Sequence, residues 1–218
     1  LDHPNIVIVH DADKIDGQLY IAMKYLPGCT LQAFLEKKGA LSLAQALPIL
    51  EKIAAALDYA HQKGIVHRDV KPSNIIVEEM VGALKVTLTD FGLVKALEGS
   101  QSLTTTSALM GSVRYMAPEQ STPSRAGEIG PATDRYALGV VAYQMLTGRV
   151  PFPGSTPGTL NAHRNLDPPD PRSICEDVSS GVAAVLIKML SKAPAERFAS
   201  AQAFVEQLLN PPVLPSVH

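Results

Sequence analysis

Four residues of reactive type stand at close, fixed spacing in the middle of this sequence. In "HRDVKPSN" (His67–Asn74) the carboxylate Asp69 is followed two residues later by Lys71 and five later by the amide Asn74. A second carboxylate, Asp90, opens "DFG" (Asp90–Gly92), and "APE" (Ala117–Glu119) follows. Taken singly these are ordinary. An aspartate after an arginine is usually half of a surface ion pair, and an asparagine in "PSN" is usually a turn former. Their joint order and spacing carry the signal. Other chemistries find no support: Cys29 and Cys175 lie far apart in unrelated contexts, and the six histidines lack zinc-type spacing.

In that order the three motifs resemble the protein kinase family, and the resemblance covers nearly the whole chain. It implies ATP and Mg²⁺ as cofactors and protein Ser/Thr hydroxyls as acceptors. Transfer of a γ-phosphoryl group needs in-line positioning, charge neutralisation and a proton acceptor on the hydroxyl. By resemblance Asp69 is that acceptor, and Lys71 offsets charge on the transferring phosphate. Lys71 is also the serine/threonine-type signature. Asn74 and Asp90 match the Mg²⁺ ligands, one neutral oxygen and one charged. His67 and Phe91 match an internal packing column, with Val9 as their expected neighbour.

The same resemblance assigns the nucleotide pocket. Met23 matches the residue at its back, and Lys24, Tyr25 and Leu26 the hinge that bonds adenine through backbone groups. Ile76 is expected under the adenine ring. Thr30 stands where relatives often place an acidic ribose ligand, so ribose contact is expected to be weaker or different. Arg68 beside Asp69 is the arrangement of kinases switched on by segment phosphorylation, with Thr104 and Thr106 as the expected sites, Thr105 as the fallback and Lys95 as a second cation. Ser112 keeps the hydroxyl expected to bridge Asp69 and Lys71. Glu119 and Arg197 match a buried ion pair, and Asp134 the acid that holds the catalytic loop's backbone. The style of "YMAPEQ" and "KAPAERFASA" is similar to bacterial receptor-type kinases of the eukaryotic-like group.

Regular elements must position these residues. Two short strands are expected at Ile6–Val9 and Leu19–Tyr25 around a polar turn, "DADKIDGQ", with Leu19, Ile21 and Met23 on one face. "TLQAFLEKKG" reads as a short helix closed by Gly39. Ser42 and Gln45 form a capping box opening the next helix, which Gly64 ends and where Pro48 predicts a kink or a late start. Leu84, Val86 and Leu88 alternate in a strand leading into "TDFG". Little periodicity appears between Asp90 and Glu119, and a stretch of that length is usually functional. "TDRYALGVVAYQMLTG" is apolar nearly all round, which predicts a buried helix. Amphipathic helices are expected at Val182–Leu190 and Ser200–Leu209, and "NPPVLPSVH" reads as a frayed tail.

The fold class expected is α+β, kinase-like: residues 1–27 as a remnant of the N-lobe with two strands and the hinge, 28–209 as the helical C-lobe, and 210–218 as tail. The 218 residues carry a net charge of -2 with no Lys/Arg run, which excludes nucleic acid and anionic membranes as evident partners. No apolar run reaches the roughly 18 residues that span a bilayer; the two isolated cysteines fit a reduced compartment, so a cytoplasmic location is expected, with anchoring outside the chain left open. Nothing in the sequence, which opens on "LDHPNIV", matches the family's Gly-rich loop, strand Lys or helical Glu. A truncated domain, inactive alone, is therefore expected; the alternative is a pseudokinase acting as a binding module. An antibiotic-kinase type of phosphotransferase shares the Asp/Asn/Asp logic but lacks the long segment ending in APE. Expected partners are protein substrates, including a second copy of the protein as substrate for autophosphorylation.

Overall fold

The computed structural model describes residues 1–15, 18–91, 112–154 and 156–213. Two small sheets and a set of helices make up the architecture. β1 (Val9–Ile15) and β2 (Gln18–Met23) form an antiparallel pair, with Ile15 opposite Gln18 and Val9 opposite Met23. β3 (Cys29–Thr30), β4 (Ile75–Met80) and β5 (Ala83–Leu88) form a second antiparallel sheet in the order β3-β4-β5.

The first sheet departs from the sequence expectation. Ile6 and Val7 are not part of its first strand. They are buried against β5: Val7 N–H donates to the Leu88 carbonyl at 3.0 Å, Leu88 N–H to the Asn5 carbonyl at 2.8 Å, and the Asn5 side chain to the Val86 carbonyl at 2.7 Å. The "DADKI" run, read as turn, is strand instead. Every residue of β1 is exposed, and a strand with no buried face has no apolar alternation to reveal it. β4 also escaped the reading; its Ile75-Ile76-Val77 run pairs with β5 through a two-residue loop, Val81-Gly82, where Gly82 has φ 74°.

Helices build the core. α1 (Leu31–Lys38) starts at Thr30, whose hydroxyl accepts from Ala33 N–H, and closes at Gly39. α2 (Leu43–Gln62) opens on the expected capping box: Gln45 N–H donates to Ser42 Oγ and Ser42 N–H to Gln45 Oε1. Pro48 lies inside α2 without delaying its start, because the capping box satisfies the first-turn donors and sets the beginning at Leu43. α2 packs against β5, against α3 (Pro131–Thr147) and against α6 (Ala201–Leu209).

Thirteen of the seventeen residues of α3 are buried, as its apolar sequence predicts. Gly139 lets it approach α5 (Ser180–Met189) closely; a Cβ there would stand 2.8 Å from Met189 Cγ. α4 (Thr156–Asn165) lies against the 112–121 stretch. The tail begins docked, since Pro211 and Pro212 pack on Gly181. Among the described residues no helix is long and apolar enough to cross a membrane.

Candidate active site

The 67–74 loop is built downward from α3. Asp134, 1% exposed, accepts three hydrogen bonds: Oδ1 from Arg68 N–H at 2.7 Å, and Oδ2 from His67 N–H at 2.8 Å and His61 Nε2 at 2.7 Å. His67 donates from Nε2 to the Thr89 carbonyl at 2.7 Å, which leaves Nδ1 to accept from Asp69 N–H at 3.3 Å. Both contacts agree on one tautomer. Its ring lies 4.5 Å from that of Phe91, centroid to centroid. Val9 does not complete this column; it sits on β1, 53% exposed.

Around Asp69 the polar groups converge. Lys71 Nζ stands 2.6 Å from Asp69 Oδ2 and donates to Ser112 Oγ at 2.6 Å. The lysine, rather than the serine, is therefore the bridging group. Asn74 Nδ2 donates to the Asp69 carbonyl at 2.9 Å and to Oδ2 at 3.1 Å. That commits the amide nitrogen and leaves Oδ1 as the end able to meet a cation. Thr89 ties the second acid to the same place, its N–H and hydroxyl both donating to the Asn74 carbonyl. Asp90 follows directly. Among the described residues Arg68 (φ 69°) and Asp90 (φ 62°) are the two non-glycine positions in the left-handed region. Such conformations persist where the surroundings over-determine them, and they cluster at working sites.

The stretch after Ser112 is anchored twice. Arg197 Nη1 and Nη2 donate to the two Glu119 oxygens at 2.8 and 2.9 Å, with both side chains fully buried. Thr133 Oγ1 adds a third donor at 2.9 Å, and Arg197 lies over the Tyr136 ring. Burial pushes the Glu119 carboxyl upward, but the Arg197 bonds and charge outweigh it and hold the group below its usual value. The second anchor is His163 on α4, which accepts from Tyr136 Oη at Nδ1 (2.8 Å) and donates from Nε2 to the Arg114 carbonyl (3.0 Å). Burial pushes its pKa down to about 4.

The segment expected as a hinge runs from the end of β2 to β3. Lys24 N–H donates to the Ile8 carbonyl at 2.8 Å, Tyr25 is 84% exposed and Met23 38%. Gly28 (φ 118°) closes onto β4 so tightly that a Cβ would lie 2.4 Å from the Val77 carbonyl oxygen. Ile76 stands beside this contact, opposite Thr30 in register. The Thr30 hydroxyl caps α1. Gly92, Lys95, Thr104, Thr105 and Thr106 lie outside the described residues.

Sequence reasoning passed over His61, Thr133, Gln120 and His163. His61 had a readable signal, standing three residues after Asp58 on the α2 face that meets Asp134. The others act through partners distant in sequence.

A backbone-clamped Asp69 is thus joined to Lys71 and Asn74, with Asp90 following Thr89 alongside. The chain belongs to the protein kinase family: the model described as protein kinase domain matches residues 1–211. It is similar to serine/threonine-protein kinase PrkC of Bacillus subtilis, 39% identical over 203 residues, covering 93% of this chain and 30% of that protein. The chain spans roughly a third of the length of the curated relatives it matches. Among solved structures, a single-substitution mutant of the Mycobacterium tuberculosis PknI kinase domain superposes with TM-score 0.74 at 32% identity, covering 96% of this chain and 72% of that one. Rad53 residues 1–466 in complex with AMP-PNP gives TM-score 0.74 at 27% identity, over 94% and 50% of the two chains. The fold is the α+β protein kinase fold.

Proposed function

We propose that the protein carrying this chain is a serine/threonine protein kinase that uses Mg²⁺–ATP. The observation that carries this reading is the Asp69–Lys71–Ser112 contact, with Asn74 fixed on Asp69. Asp69 takes the proton of the acceptor hydroxyl and orients its oxygen. Lys71, held at 2.6 Å from Asp69, is placed to offset negative charge on the phosphoryl group in transit. Asn74 Oδ1 and the Asp90 carboxylate would hold the metal. Among the described residues no cluster of three or more His, Cys, Asp or Glu competes for it. One carboxylate with one amide oxygen suits Mg²⁺, which keeps phosphate oxygens and waters as the rest of its shell. The bound ion would neutralise phosphate charge. Met23, Lys24, Tyr25, Leu26 and Ile76 would frame the adenine, with the hinge contacts made through backbone.

Incubation of the full-length protein with labelled ATP and Mg²⁺ against matched Ser, Thr and Tyr peptides tests this. Label on Ser or Thr supports it; label on Tyr alone, or none, opposes it. Residues 1–218 match no Gly-rich loop, strand Lys or helical Glu, and we propose that they transfer no phosphate by themselves; robust turnover by this chain would contradict that. Phosphorylation at Thr104 or Thr106, received by Arg68 and Lys95, is the proposed switch, in trans between copies. Full activity in a Thr104→Ala, Thr106→Ala protein would remove it.

A further inference from the structure

Arg68 occupies a left-handed conformation at φ 69° that a non-glycine residue keeps only when held there. Its N–H is fixed by Asp134 Oδ1 at 2.7 Å. Its carbonyl is fixed by an unexpected group, the Gln120 amide, whose Nε2 donates at 2.8 Å. That carbonyl belongs to the peptide joining Arg68 to Asp69, and the other edge of the same peptide, Asp69 N–H, points at His67 Nδ1 at 3.3 Å. Rotation of this peptide plane would break the Asp69 N–H contact to His67 Nδ1 and disturb the backbone on which the Asp69 side chain is mounted. The bond from Gln120 to the Arg68 carbonyl opposes that rotation.

Gln120 is itself held at both ends of its amide. It sits in the turn Pro118–Ser121, next to Glu119, whose carboxylate is gripped by buried Arg197. Its own Oε1 accepts from Ala117 N–H at 2.9 Å, which sets the direction of the NH₂ group. Gln120 also lines the small cleft, about 20 Å³, beside Arg68, Asp69 and Ser112. We propose that Gln120 is a positioning residue for phosphotransfer: it transmits the seating of the 117–121 turn to the Arg68–Asp69 peptide and so fixes the proton acceptor. The inference rests on the role proposed above for Asp69.

Gln120→Glu separates positioning from turn capping. Glutamate keeps the oxygen that Ala117 N–H needs, but sets a second oxygen against the Arg68 carbonyl where the donor stood. In the full-length protein we expect kcat to fall roughly tenfold or more, with KM for ATP and peptide within about threefold and the melting temperature nearly unchanged. Hydrogen exchange at the Asp69 amide should accelerate while α2 and α3 keep their protection. Parental kcat in this variant, or an Asp69 amide as protected as before, overturns the proposal. Gln120→Met removes donor and acceptor together and serves if the glutamate variant fails to fold; it should lose kcat likewise, and parental kcat there would also overturn the proposal. Should the parent protein prove inactive, the function reading fails, and the exchange measurement alone decides whether Gln120 holds the peptide.

Discussion

Lowering the pH from 7 to 5 should destabilise this domain through His163. The imidazole is fully buried between Tyr136 and the Arg114 carbonyl, edge-on to Phe152. Burial lowers its pKa from 6.5 to about 4. In the unfolded chain it takes a proton near 6.5; in the folded one it resists until about 4. Above pH 6.5 neither state is protonated, so the group contributes no pH dependence there. Between 6.5 and 4 the unfolded state binds the extra proton, and stability falls with pH. At roughly 1.4 kcal/mol per unit, the loss is about 2 kcal/mol at pH 5 and about 3 kcal/mol once pH 4 is passed. Against the ~5–15 kcal/mol of a typical domain this is large. Urea unfolding at pH 7, 6, 5 and 4.5, with a His163→Gln protein alongside, isolates the effect, since glutamine cannot take the proton. The parent should lose about 2 kcal/mol more than the variant between pH 7 and 5. A difference that stays flat across that range would refute the reasoning.

Two further outcomes follow from single contacts. Arg197→Met strands the Glu119 carboxylate in a fully buried position and should cost about 3–5 kcal/mol in denaturant unfolding, with the double variant Glu119→Leu, Arg197→Met recovering much of it. Gly28→Ala places a methyl 2.4 Å from the Val77 carbonyl at φ 118° and should cost more than about 1 kcal/mol; an unchanged melting temperature would show that this turn can yield.

What could be read from the sequence was whatever is local or periodic. The Ser42–Gln45 box, the apolar face of α2, the nearly continuous burial of α3 and the alternation of Leu84, Val86 and Leu88 all have short-range signatures, and the elements stand where those signatures put them. β1 has none, because its seven residues are exposed and, among the described residues, it pairs with β2 alone. Ile6 and Val7 look like strand residues and are extended, yet they serve a different sheet; an apolar pair does not say which neighbour it meets. At the site, Asp69, Lys71 and Asn74 lie within six residues and were visible together. Gln120 meets Arg68 across 52 positions and His163 meets Arg114 across 49, separations at which one sequence carries no pairing information. The reversal at Ser112 is of the same kind: a long amine-tipped side chain can reach both oxygens, so Lys71 spans the gap that the hydroxyl was expected to close.

Everything proposed for the reaction turns on Asp69 as proton acceptor. Steady-state phosphotransfer to a Ser/Thr peptide by full-length Asp69→Asn protein measures this directly. The asparagine keeps size and hydrogen-bonding capacity toward Lys71 and Asn74 but cannot take the hydroxyl proton. With Asp69 in that role, kcat falls by roughly 10²–10⁴ while ATP binding stays within about threefold. A kcat close to that of the parent would contradict it.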